Sequence, residues 1–304
     1  MLFEKSTSAI KTAILIGLSL LMTMTAQAAD QSTAQAKGKM YLVSTGTGDA
    51  DNMTIRARDI ITRADILFAM GGGREQFAGL LKGKEVHDAG HGLFGMGSQQ
   101  KKPSRASNKP AEKAKAAKQA ASKRPRKSPE ELAQQQEETR KIIRDGIAAG
   151  KTVVILDNGD PMIFGPHAGY LREFADLSPV VIPGPSSFNA ANAALKSSVV
   201  GGPARGVTLT HARLDDGRDQ ILAKMISDGF TLAFFMVRNL DEFVATLGKN
   251  LPETTPVAIV ANAGSSAQER VIRATLGTVT ASVKAEYKEE KLPSYLLYVG
   301  EAVQ

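Results

Sequence analysis

Short apolar runs recur along the chain at intervals that alternate with segments of helical spacing. Met40–Ser44, Asp65–Met70, Thr152–Leu156 and Val180–Ile182 are runs of three to six mostly apolar residues, rich in β-branched and aromatic types. Runs of that length, bounded by Gly, Pro, Asn or Asp, read as buried strands. Between them, Asp51–Ala64 has Ile55, Ile60 and Ile61 marking an apolar side, which predicts a helix. A short helix over Arg74–Leu81, a strand near Glu85–His87 and a glycine-rich turn over Gly90–Gly97 follow, with Gly71-Gly72-Gly73 closing the second strand. Ser128-Pro129-Glu130-Glu131 is a helix start, with Ser128 as N-cap and acids in the first turn; that helix runs to about Ala149 and Gly150 closes it. Pro166–Ala175 and Phe188–Leu195 read as further helices.

The second half repeats the alternation. Strands are predicted at Gly206–Thr210, Thr231–Met236, Pro256–Ala261, Arg270–Thr275 and Ser294–Val299, and helices at Asp219–Ser227, Leu240–Leu247 and Gly277–Ala285. Alternating strands and helices imply parallel or mixed sheets. The Gly- and Pro-bearing stretch Ser197–Gly206 divides the chain into an N-terminal α/β domain, 40–198, and a C-terminal α/β domain, 206–304. Two such units place a cleft between them, a favoured position for a ligand.

Composition changes this picture at two places. The N-terminus has basic Lys5 and Lys11, an apolar run Ala13–Met24 and the small-x-small triplet Ala26-Gln27-Ala28. That is the pattern of a cleavable signal peptide over 1–28, so the mature chain is expected to start near Ala29 in the periplasm or outside the cell, with no transmembrane span. The net charge of +7 is also uneven: eleven of the 38 Lys and Arg residues and one acid, Glu112, fall in 98–128, so that segment carries +10 and the remainder −3. Its Lys/Ala/Ser/Pro composition predicts a disordered insertion. Lacking interleaved aromatics, it would attract an anionic partner only non-specifically. The chain has no Cys, which excludes disulfides, zinc–thiolate and iron–sulfur sites and a thiol nucleophile.

The strongest chemical signal is Asn158-Gly159-Asp160-Pro161-Met162-Ile163-Phe164-Gly165, directly after the strand Thr152–Leu156. In open α/β sheets ligands bind just past the carboxyl ends of strands. Here Gly159 permits close backbone approach, Asp160 supplies an acceptor and Pro161 stiffens the turn, so the stretch is a candidate wall of a small-molecule site followed by a helix. His87 and His91, four residues apart, are interrupted by Gly90 and Gly92 and read as loop residues rather than metal ligands; no metal site is expected. His211 ends the first strand of the second domain, and Arg205 and Arg213 flank it as potential carboxylate partners.

Four blocks taken together resemble the tetrapyrrole methylase family, the two-domain methyltransferases that act on uroporphyrinogen-III and precorrins. They are Leu42–Asp49 with Met53–Ala57; Asn158–Gly165; Val181–Ser187; and Phe235-Met236 with Pro256–Gly264, Gln268–Arg270 and Ala274–Gly277. The resemblance covers about Met40–Val303 apart from the basic insertion. It implies S-adenosyl-L-methionine (SAM) folded into the interdomain cleft, held by Thr47, Asn158, Gly159, Asp160, Ile163, Ser186 and Ser187 from the first domain and by Met236 and Ala263 from the second. It further implies a tetrapyrrole-like acceptor, near Asp49, His211 and Arg213, and a homodimer. Asp160 can accept from ribose hydroxyls or an ammonium, and Met236 offers a soft apolar face. Ser44 and Thr47 depart from the family's first loop, and Ala69 stands where uroporphyrinogen-type members carry an Asp, so no catalytic acid or base transfers. Two other functions fit the residues: an exported non-catalytic protein that keeps the fold to bind a tetrapyrrole or SAM without methylating, and an rRNA methylase, which the basic insertion favours and export disfavours.

Overall fold

The computed structural model describes residues 38–95, 127–214, 217–288 and 292–303. The signal-peptide reading of 1–28 and the basic insertion over 98–128, except its last two residues, lie outside the described residues.

The first sheet is built from β1 (Lys39–Ser44), β2 (Ile66–Ala69), β3 (Glu85–Asp88), β4 (Thr152–Asp157) and β5 (Val180–Ile182), in the order β3-β2-β4-β1-β5. All its pairings are parallel. Strands so placed are covered on both faces, which is why β2 is buried at every position. Side chains alternate between the faces. Leu42, Phe68 and Ile155 join Ile143 of helix α4 (Pro129–Ala148) and Tyr170 of α5 (Gly169–Glu173), whereas Val43, Leu67 and Val154 join Ala57, Ile60 and Ile61 of α1 (Ile55–Arg63). Ile55, expected on the apolar side of that helix, is 72% exposed. The helix starts only at Ile55, capped by Thr54, and its inward stripe runs through residues 57, 60 and 61; position 55 is half a turn away. The glycine triplet is helical rather than a strand end: α2 (Gly71–Gln76) begins there and α3 (Ala78–Leu81) follows. No helix follows the Asn158–Gly165 stretch directly, since α5 starts only at Gly169.

The second sheet contains β6 (Gly206–His211), β7 (Phe230–Phe235), β8 (Pro256–Ala261), β9 (Arg270–Thr275) and β10 (Tyr295–Val299), in the order β6-β7-β10-β8-β9. It is mixed: β6 and β7 are parallel and the other three pairings antiparallel. One face packs against α7 (Arg218–Ser227), α8 (Leu240–Leu247) and α9 (Val279–Tyr287) through residues such as Leu222, Phe243, Val279 and Leu297. The other face is covered by α6 (Ser187–Leu195), the helix that leaves β5 of the first sheet: Ala191 and Leu195 share a core with Val260, Leu296 and Tyr298. The Tyr298 hydroxyl donates to Asn192 Oδ1 at 2.8 Å, and Arg273 donates to the Leu195 carbonyl at 2.6 Å. The connection between the lobes is therefore a docked helix, which fixes one lobe against the other.

Candidate functional site in the interdomain cleft

In the first sheet the chain leaves β1 toward β2 on one side and leaves β4 toward β5 on the other. The carboxyl ends of the adjacent β1 and β4 thus form the point where the winding reverses, and their loops open into a crevice. The two loops are tied together. The Gly159 N–H donates to the Gly46 carbonyl at 2.7 Å, and the buried Ser44 hydroxyl donates to the Gly159 carbonyl at 2.6 Å. Thr45 gives its N–H and its hydroxyl to the Asp157 carbonyl at 2.8 and 3.1 Å. Ser44, a departure from the family pattern, thereby becomes the pin between the loops. The third loop, Pro183–Ser187, closes on the same pin: a Cβ on Gly184 would lie 2.2 Å from the Ser44 hydroxyl.

The second lobe supplies the opposite wall. Gly48 meets Gly264 so closely that a Cβ on Gly48 would fall 2.1 Å from the Gly264 carbonyl, at a backbone φ of +73°. The Asp49 N–H and the Asn52 amide both donate to the Gly264 carbonyl, at 2.9 and 2.8 Å, and the Ser266 N–H donates to Asp49 Oδ2 at 2.7 Å. The Ser266 hydroxyl first, and its backbone N–H second, hold the Asp49 carboxyl below the usual carboxylate range.

Between these walls is a cavity of about 360 Å³, within the range of small-molecule sites. Of the expected residues, Thr47, Asn158, Ser187 and Ala263 line it. Thr47 and Ser187 hydroxyls approach to 3.4 Å across its floor. Gly159 is buried beneath, with φ +76°. Asp160 turns its carboxylate onto its own loop, accepting from the Met162 N–H at 2.8 Å, and the Ile163 N–H closes the turn onto the Asp160 carbonyl. Ser186 uses its hydroxyl to cap α6 in a reciprocal pair with Asn189. Gly159, Asp160, Ile163 and Ser186 thus shape the wall, whereas the four lining residues face the cavity.

Met236 is elsewhere. It is 56% exposed and lines a second cavity of about 620 Å³ with His211, Arg213 and Arg238. Its neighbour Phe235 lines the first cavity, so the end of β7 is a partition between the two. Phe164 from the first lobe packs on Phe235 with ring centroids 4.8 Å apart, and Met162, Phe164 and Met236 all expose apolar surface there. Asp49 is not brought to His211 and Arg213; it ties the lobes together.

Cavity residues outside the expected set include Gln76, Phe235, Asn262, Ser294 and Tyr295. Ser294 and Tyr295 reach it because β10 runs antiparallel to β7 and β8, so its start lies beside their ends; a sequence read as simple alternation gives no sign of that reversal. Burial and the charge of Asp241 push the Tyr295 phenol up to about 12, so it stays protonated at neutral pH and can serve as a hydrogen-bonding group but not as a base.

A model of the family described as tetrapyrrole (corrin/porphyrin) methylases matches residues 39–280. The chain belongs to this family. The uroporphyrinogen-III C-methyltransferase of Methanocaldococcus jannaschii is 30% identical over 187 residues, 55% of this chain and 71% of that one. The precorrin-4 C(11)-methyltransferase of Rhodococcus erythropolis is 31% identical over 153 residues, 47% of this chain and 60% of that one. Among solved structures, a cobalt precorrin-4 methyltransferase of cobalamin biosynthesis aligns with a TM-score of 0.60 at 20% identity, covering 88% of this chain and 96% of that one. The uroporphyrin-III C-methyl transferase of Thermus thermophilus, in complex with S-adenyl homocysteine, aligns with a TM-score of 0.55 at 24% identity, covering 88% and 99%. The two structures share the tetrapyrrole methylase fold of this chain.

Proposed function

We propose that this chain is a SAM-dependent methyltransferase whose acceptor is a tetrapyrrole-like macrocycle of the uroporphyrinogen or precorrin type. The observation that carries this reading is the Gly46–Gly159 tie. It brings Thr47, Asn158 and Ser187 onto one wall, facing Asn262 and Ala263 of the second lobe across a cavity of about 360 Å³. Such a wall suits the donor: hydroxyls and amides for its ribose and amino-acid groups, and apolar Phe235, Val260 and Leu296 for its purine. When bound, SAM supplies an electrophilic methyl group on a sulfonium. The chain's residues contribute position: Asn158 and Ser187 orient the donor, the protonated Tyr295 hydroxyl is a hydrogen-bonding partner, and closely docked lobes exclude water.

The acceptor reading rests on the surface beside the cleft. Phe164, Phe235 and Met236 offer apolar area to a macrocycle face, and His211, Arg213 and Arg238 line the adjoining cavity, where carboxylates on the ring periphery would be paired. Calorimetric titration with SAM tests the donor half. Saturable heat is expected for the purified chain and none for Asp160→Ala, which removes the acceptor that fixes the turn; equal affinity in both would contradict the site.

The residues of the N-terminal segment support export of a chain beginning near Ala29, which N-terminal sequencing of fractionated cells would check. A homodimer and a non-specific anionic partner for 98–128 complete the proposal; sedimentation and salt-dependent retention on a polyanion would test them.

A further inference from the structure

Two wholly buried polar side chains lie at the foot of the Asn158–Gly165 loop and take no part in the reading above. Asp157 is the last residue of β4, and His167 comes ten positions later, at the far end of the loop. Neither side chain is exposed at all. The His167 N–H donates to Asp157 Oδ2 at 3.2 Å, and ring Nδ1 lies 3.5 Å from the same oxygen. Among the described residues, Asp157 Oδ1 and both ring nitrogens of His167 have no hydrogen-bond partner. The imidazole packs edge-on against Tyr170, whose hydroxyl donates to the Ala89 carbonyl at 2.7 Å. The space is tight: a Cβ on Gly165 would come within 2.8 Å of Asp157 Oδ2. On its other side, the Asp157 carbonyl receives both bonds from Thr45, so the same residue touches the first and second loops.

A buried carboxylate with one backbone donor is poorly compensated. The His167 ring is the group beside it that can supply another, and a movement of a few tenths of an ångström would bring Nδ1 within hydrogen-bonding distance. Two such groups in the core would be replaced at a gain by apolar residues of similar volume unless their geometry serves something. We propose that Asp157 and His167 form a clasp that closes the loop at its base, with the proton on Nδ1 directed at Asp157 Oδ2. They are positioning residues: by fixing the two ends of the loop, they set the height of Asn158 and Gly159 against the donor. The proposal rests on the reading of this cleft as the SAM site, and the test separates the two.

His167→Leu removes the ring donor at similar volume, His167→Asn restores a side-chain N–H near the place of Nδ1, and Asp157→Asn removes the charge. For each, SAM affinity is measured by calorimetry and amide hydrogen exchange is followed in peptides covering 157–167 and, as a control, 256–261. His167→Leu is expected to weaken SAM about tenfold, the equivalent of one hydrogen bond to a charged group. It should also speed exchange in 157–167 by a similar factor and leave 256–261 unchanged; His167→Asn should recover most of both. A general loss of packing would instead raise exchange in both regions and would impair the Leu and Asn variants alike. That result, or wild-type affinity and exchange in His167→Leu, would overturn the clasp. Should the unaltered chain bind no SAM, the donor reading fails and exchange in 157–167 alone decides the clasp. Should His167→Leu not fold, Asp157→Asn is expected to show the same paired changes, and their absence overturns the proposal.

Discussion

Gly48 and Gly264 meet backbone to backbone where the lobes join, and this contact leaves no room for a methyl group. A Cβ on Gly48 would overlap the Gly264 carbonyl and would sit on a residue held at φ +73°. Gly48→Ala is therefore expected to cost about 2–3 kcal/mol in strain and clash, seen as a lowered midpoint in denaturant, and to weaken SAM binding because the two walls of the cavity separate. Asp160 shows the opposite balance. Its carboxylate bonds one N–H in its own turn, so Asp160→Ala should lose only about 1 kcal/mol of stability while losing SAM affinity. The two variants, compared by urea titration and calorimetry, distinguish a contact that holds the lobes from one that shapes the loop. Both residues stand out in the sequence as glycine- and Asp-bearing loops after strands. His167 does not, because nothing in the spacing Gly165-Pro166-His167 shows that the ring folds back to a strand end ten residues earlier.

Among elements, a helix start with a full capping pattern was legible, since it depends on neighbours in sequence, whereas starts without one, such as those of α1, α2 and α5, were not. Ser128 caps α4 as the Ser-Pro-Glu-Glu pattern indicates: its hydroxyl accepts from the Glu131 N–H at 3.1 Å, and the Glu131 carboxylate accepts from the Ser128 N–H at 2.6 Å. Ser128→Ala is expected to cost about 1 kcal/mol, a fall in Tm of roughly 2–4 °C for a chain of this size, with SAM affinity unchanged. Ser186→Ala removes the corresponding cap of α6 and should cost a similar amount, but also weaken SAM, because that cap lies in the cleft wall. Differential scanning calorimetry paired with SAM titration separates the two caps. Strand positions were legible too, through their β-branched runs. Strand directions in the second sheet were not: β10 reverses relative to β7 and β8, and that pairing is settled by packing over long sequence distances. This is why Ser294 and Tyr295 were missed as cavity residues. The strand was expected to run to Met236, but β7 ends at Phe235; Met236 follows it at φ +59° and, with Phe235 as the partition, turns into the neighbouring cavity.

For the molecule as a whole, the relation between lobes decides whether a donor site exists. Docking of α6 against the second sheet holds them from one side, and the Asp49, Asn52, Gly264 and Ser266 bonds hold them at the cleft. The Asp49 carboxyl is held below the usual carboxylate range by the Ser266 bonds. A depressed carboxyl contributes to the folded arrangement above its ordinary value, near pH 4, and the contribution is lost as pH falls through the lowered one. Lobe docking should thus be insensitive to pH near neutrality and loosen in acid, and Asp49→Ala should remove that acid-dependent component; small-angle scattering across the range from pH 7 to about 3 would check it. Whether the two lobes close over one adenosyl donor is decided by a crystal structure of the chain with S-adenosylhomocysteine. The ligand is expected between the lobes, hydrogen-bonded to Asn158 and Ser187 and in contact with Ala263; a ligand bound outside the cleft, with that cavity left to solvent, would refute this arrangement.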